Sequence, residues 1–104
     1  QKGSIEWILT PPVVHNDAAV TKVVKSVTEK FATVVTAEVT LGAEDFANYM
    51  EHVPGCFVFI GTGCPREWHH PAFLVDDEAL PFAIQYFVDN TNDLLEVLSQ
   101  KGNA

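Results

Sequence analysis

Basic side chains are scarce in this sequence: 6 Lys and Arg stand against 14 Asp and Glu, a formal charge of −8 over 104 residues. Holding phosphates takes clustered cations, and no cluster exists here, which excludes nucleic acid or an anionic membrane as the main partner. No apolar run approaches the length of a bilayer crossing, and Gln1-Lys2-Gly3-Ser4 lacks the apolar stretch of a signal peptide. Methionine occurs once, at Met50, and not at position 1, so the expectation is a processed product or an excised piece of something longer. Only two cysteines are present, Cys56 and Cys64. A small secreted domain held by disulfides normally uses more, so two reduced thiols and a cytoplasmic location are expected. A nucleophile elbow, a P-loop and a dinucleotide fingerprint are all missing, since Gly61-Thr62-Gly63 alone is too short a pattern.

What is present is the 47% hydrophobic composition of one globular domain. Residues 4–9 read as a short strand stopped by Pro11-Pro12, which remove two backbone donors. Asn16 or Asp17 offers an N-cap to an amphipathic helix over about 17–31, with Val20, Val23, Val24, Val27 and Phe31 at helical spacing. Residues 33–39 are β-branched and strand-like, and 43–50 form a short helix with two acids in its first turn. The run Cys56-Phe57-Val58-Phe59-Ile60 is apolar at every position, as in a strand covered on both faces. A long helix closes the chain from near Asp77 to Gln100, its inner stripe read as Leu80, Ile84, Phe87, Val88, Thr91, Leu95 and Leu98. Pro81 is tolerable only in that helix's first turn. Alternating strands and helices predict an α/β fold, with a sheet flanked by helices in a three-layer arrangement. Three strands make a small sheet, so the chain is expected to oligomerise or to be part of a larger sheet.

Chemistry concentrates in the loop at 61–73, which carries Cys64, Arg66, Glu67, Trp68, His69 and His70, with Asp76 just beyond. It follows the C-terminal end of the apolar run, where open α/β sheets place ligands. Adjacent histidines cannot both point the same way along an extended chain, so at most one faces a site. A neutral imidazole there suits a transition metal or a base; two surface histidines are the plainer alternative. His15 and His52 lack an i,i+4 partner, and Cys64 with His69 and His70 matches no closed zinc spacing. Gly42-Ala43-Glu44-Asp45 is a second candidate. Glycine admits a close backbone approach and a helix start offers free donors, but the two acids equally suit a dipole-matched helix start.

Taken together, Val13-Val14-His15-Asn16-Asp17, Leu41-Gly42-Ala43-Glu44-Asp45-Phe46-Ala47, the stretch from Val53 to Gly63, His69-His70-Pro71-Ala72-Phe73 and Asp76 to Pro81 form a series. Their order and spacing resemble the C-terminal part of the metal-dependent amidohydrolases that include aminoacylase, hippurate hydrolase and the auxin-conjugate hydrolases. The resemblance spans about residues 5–98 and implies a catalytic α/β domain interrupted by a smaller lid (dimerisation) domain. Residues 1–12 would end the lid and make the return crossing, and 13–104 would form the C-terminal portion of the catalytic domain. The family binds a divalent metal pair (zinc, manganese, nickel or cobalt) and cleaves an amide to release an amino acid. A metal-bridging water attacks the carbonyl and a glutamate acts as general base. His69 matches the last metal ligand, at the first position of a His-X-Pro motif, and His70 falls at the variable position. Gly42, Glu44 and Asp45 match a motif near the active-site cleft and are read as supporting or structural. The other ligands and the general base belong to segments upstream, so no catalytic base is assigned within this chain. The expectation is a fragment of an N-acyl-amino-acid amidohydrolase or peptidase that supplies one metal ligand and is inactive without the remaining N-terminal part. The alternative is a non-catalytic association module of the same origin, working as a homo-oligomer. A small structural zinc domain through Cys64 and His69 is a third reading.

Overall fold

Asp17 starts the first helix: its carboxylate accepts the Val20 backbone N–H at 2.9 Å and satisfies a donor that the helix itself leaves orphaned. In the computed structural model, which describes residues 2–102, α1 spans Ala18–Thr28, α2 Phe46–Met50 and α3 Ala79–Gly102. Gln1, Asn103 and Ala104, the outer ends of the two expected segments, lie outside the described residues. α1 stops earlier than its periodicity suggests, because Lys30 and Phe31 donate to carbonyls three residues back and tighten the last turn. α3 begins after Asp76, whose side chain accepts from Glu78 N and whose carbonyl accepts from Ala79 N. Pro81 is its third residue, within the first turn.

The expected three-layer sheet is not there. Among the described residues there is no strand, and no backbone hydrogen bond joins 4–9, 33–39 and 56–60 to one another. A β-branched or apolar run supplies a face, but a strand also needs a neighbour to pair its N–H and C=O groups. Residues 55–57 find a different partner. The Asn16 side-chain amide donates from Nδ2 to the Phe57 carbonyl at 2.9 Å and accepts the Phe57 N–H on Oδ1 at 2.8 Å. Beside it, Asp17 N donates to the Gly55 carbonyl at 2.9 Å. One side chain thus does for Phe57 what a neighbouring strand would do.

The helices gather on this segment. Thr21 of α1 donates to Cys56 Sγ at 3.6 Å, and Phe46 of α2 lies 5.9 Å from the Phe57 ring, centroid to centroid. A Cβ on Gly55 would meet Met50 Cγ at 3.3 Å, so α2 presses on the backbone there. α1 packs along α3, where buried Asn90 donates to Thr28 Oγ1 at 3.2 Å and to the Tyr86 carbonyl at 2.8 Å. The described core is small: Val24, Val27, Ala47 and the polar Asn90.

α3 is turned opposite to the expected stripe. Tyr86, Asn90, Leu94 and Val97 lie half-buried or buried, whereas Leu80, Ile84, Phe87, Val88, Leu95 and Leu98 are each more than half exposed. The helix is apolar on more than one side, and the side that meets α1 is the one that carries Asn90, which hydrogen-bonds across to Thr28. The molecule is a slab of 64 × 39 × 18 Å with a radius of gyration of 17.6 Å, against about 13 Å for a globule of this length. It exposes 9242 Å², where a folded monomer of this size exposes about 5,800 Å². No described helix is long and apolar enough to cross a membrane.

Asn16→Ala, which leaves both Phe57 backbone groups unpaired, is expected to lower unfolding stability in urea by about 2 kcal/mol. Asp17→Ala, which removes a single cap, is expected to lower it by about 1 kcal/mol. Burial first, and the neighbouring Cys56 second, hold the Tyr86 phenol above its ordinary value near 10. The unfolded chain therefore gives up that proton first, so the contribution of Tyr86 to stability is constant below about pH 10 and falls as pH rises above it. Tyr86→Phe is expected to flatten that alkaline limb in urea titrations.

Candidate functional site: the loop carrying His69

Two rungs close the loop at its base. The Asp76 N–H donates to the Thr62 carbonyl at 2.9 Å, and Cys64 Sγ accepts from Leu74 N at 3.5 Å and from Arg66 N at 3.4 Å. Both cysteines are free thiols. Gly63 adopts a left-handed backbone at φ 72, and a Cβ there would meet the Asp76 side chain at 3.2 Å. Glycine is favoured at this position for both reasons.

Within the ring, His70 N donates to the Glu67 carbonyl at 3.2 Å and Phe73 N to the His70 carbonyl at 2.9 Å. The His70 imidazole is used locally, its Nδ1 accepting from Ala72 N at 3.0 Å. His69 is different. It is the one described non-glycine residue with positive φ, at 70, a conformation that costs an L-residue roughly 1 kcal/mol. Its side chain is exposed and makes no hydrogen bond among the described residues. The adjacent histidines thus separate into a structural His70 and an unengaged His69.

The loop leans on the apolar run through aromatic rings. Trp68 stacks on Phe59, centroids 5.3 Å apart and planes within 4°, and Phe59 meets Phe57 edge-on at 5.3 Å. Such contacts add about 1 kcal/mol beyond area burial. Phe57 and Phe59 share one side of the extended segment because alternate residues do. Between run and loop lies an open hollow of about 620 Å³, walled by Phe59, Trp68 and Phe73 with Thr62, Arg66 and Glu67 around it.

The second candidate is arranged as a helix start. Glu44 is half-buried and its Oε1 accepts from Phe46 N at 3.2 Å, at the opening of α2. Asp45 precedes that helix without a side-chain cap bond, and Gly42 is exposed with only Thr40 Oγ1 near, 3.6 Å from where a Cβ would sit. No hydrogen bond or ion pair links Gly42, Glu44 or Asp45 to His69 among the described residues. His15 and His52 are exposed and engaged in no site. Among the described residues no group of three or more His, Cys, Asp or Glu could hold a metal ion. His69 is a single donor, so these residues by themselves do not fit a metal pair, nor do Cys64 and His69 form a zinc centre. Sequence reasoning missed the Trp68–Phe59 stack and the role of Asn16. For the first a signal was available, a tryptophan directly before the histidine and aromatic residues at 57 and 59; the second had none beyond the choice between two N-cap candidates.

A family model described as "Peptidase family M20/M25/M40" matches residues 2–92. The chain is 39% identical over 98 residues to an N-acetylcysteine deacetylase of Bacillus subtilis (strain 168), covering 93% of this chain and 26% of that protein. It is 36% identical over 96 residues to an N-acetyl-L-cysteine deacetylase of the same organism, covering 91% and 23%. It is also 36% identical over 74 residues to thermostable carboxypeptidase 2 of Saccharolobus solfataricus, covering 66% and 19%. The chain thus spans about a quarter of the length of the first two relatives. No solved structure matches it significantly.

Gly63→Ala forces an L-residue into the left-handed region and pushes on Asp76. It is expected to lower stability by about 1–2 kcal/mol in urea unfolding. At position 69, Gly is expected to be more stable than Ala by about 1 kcal/mol, the signature of the left-handed backbone seen there.

Proposed function

The chain belongs to peptidase family M20/M25/M40, and from that premise we propose that it takes part in hydrolysing the amide bond of an N-acyl or peptide-like amino acid. The observation that carries this is 36–39% identity to two N-acetylcysteine deacetylases over more than nine tenths of the chain. His69 is the site residue, one donor to a divalent metal pair of zinc, manganese, nickel or cobalt. The remaining donors and the glutamate general base come from elsewhere in the polypeptide. Gly42, Glu44 and Asp45 support the cleft through the start of α2. Residues 1–12 end a lid domain and 13–104 form the closing portion of the catalytic domain. Two observations support action as part of a larger enzyme: the share of its relatives that the chain spans, and the breadth of its uncovered apolar surface.

These 104 residues alone are expected to release no amino acid from N-acetylcysteine or N-benzoyl amino acids. The full-length polypeptide is expected to do so, losing activity to a chelator and falling at least about 100-fold in kcat/KM in His69→Ala. Chelator-sensitive turnover by the 104-residue chain would overturn the inactivity of the isolated piece. An unchanged His69→Ala enzyme would overturn the role of the histidine.

The bare stripe on α3 favours a second reading, an association module that works as a homo-oligomer. It requires an oligomer in sedimentation whose mass does not depend on added metal. A monomer excludes it.

A further inference from the structure

We infer that Trp68, through its stack on Phe59, is the positioning residue for His69. This rests on the proposed role of His69 and goes beyond it, since it concerns how the imidazole is presented rather than what it binds. A left-handed backbone in an exposed histidine persists only where its neighbours over-determine it. On the C-terminal side that restraint is His70, fixed by its own Nδ1 bond to Ala72 N and by its backbone bonds to Glu67 and Phe73. On the N-terminal side it is Trp68, whose ring stacks on Phe59 of the apolar run. A near-parallel stack, here between rings that are each about half exposed, favours one distance and tilt of the indole, and so biases the backbone that leads from residue 68 into residue 69. Phe59 in turn sits edge-on to Phe57, and Phe57 is held at both backbone groups by the Asn16 amide. The histidine is therefore referenced, ring by ring, to the segment that Asn16 ties at Phe57, while its own side chain makes no hydrogen bond among the described residues.

A positioning residue changes the rate of the chemical step when the presented group moves by about 1 Å, with losses of order 100-fold. The test uses the full-length polypeptide with N-acetylcysteine as substrate. It compares wild type, Trp68→Ala, Trp68→Phe, Phe59→Leu and His69→Ala, with far-UV circular dichroism checking the fold of each. In Trp68→Ala, kcat is expected to fall about 10- to 100-fold with KM within about threefold, and Trp68→Phe, which keeps a stackable ring, is expected to restore most of it. Phe59→Leu, which removes the stack from the other side and leaves Trp68 in place, is expected to fall in the same direction and decides the matter if Trp68→Ala does not fold. A second readout, independent of turnover, is the intraresidue amide–Hα nuclear Overhauser effect of His69 in the full-length polypeptide, which a left-handed backbone makes strong by bringing the two protons close. It is expected to weaken in Trp68→Ala and to recover in Trp68→Phe.

Wild-type kcat in the folded Trp68 and Phe59 variants would overturn the inference, and an inactive His69→Ala in the same series would leave the role of His69 standing. A rise in KM at constant kcat would also overturn it, marking the rings as a wall for substrate instead. An active His69→Ala would bring down the role of His69 and the positioning of it together.

Discussion

The structure depends on one amide. Asn16 faces the backbone of Phe57 with a donor and an acceptor at the spacing a paired strand would present, and both bonds are shorter than 3 Å. Without it, an apolar segment would expose two unpaired backbone groups in the middle of the fold, where water is partly excluded. With it, the entry to α1, the rings of α2 and the approach of Tyr86 on α3 all converge on residues 55–57. The neighbouring residue divides the labour: Asp17 caps α1 with its side chain and ties Gly55 with its backbone N–H.

The same segment links the helices to the histidine loop. Beyond Phe57 it continues to Phe59 and then into the ring that bears His69, so the tie at one end and the histidine at the other belong to a single aromatic row. His70, which shares the motif, is spent on the turn itself. In a pair of adjacent histidines the backbone decides which one is available, and here it does so by leaving one of them in a conformation that favours glycine.

Legibility in the sequence followed the range of the interactions. The three helices were readable because their hydrogen bonds close within four residues, and their caps and prolines sit beside them in the chain. α1 and α3 fall within about three residues of their expected ends. The strands were not, because a strand is defined by a neighbour that may be anywhere, and 33–39 has the right residues without one. The orientation of α3 was misread for a related reason. Leu80, Ile84 and Phe87 make the stronger apolar stripe, yet Tyr86 and Asn90 make the contact, and that choice belongs to the partner helix. The loop around His69 stood out in the sequence by its density of polar and aromatic residues, whereas the left-handed backbone of His69 did not, since nothing local to a His-His-Pro stretch dictates it.

The tie between Asn16 and Phe57 also imposes an order of events during synthesis. Its two ends lie 41 residues apart, so α1 leaves the ribosome with its N-terminal anchor undelivered. At ordinary elongation rates the partner follows roughly 2–8 s later, long compared with the microseconds in which a helix forms and frays. Asn90 reaches Thr28 only after a separation of 62 residues. The nascent α1 therefore forms and frays many times on local contacts, its Asp17 cap and the Lys25–Glu29 pair, before either distant partner arrives to hold it.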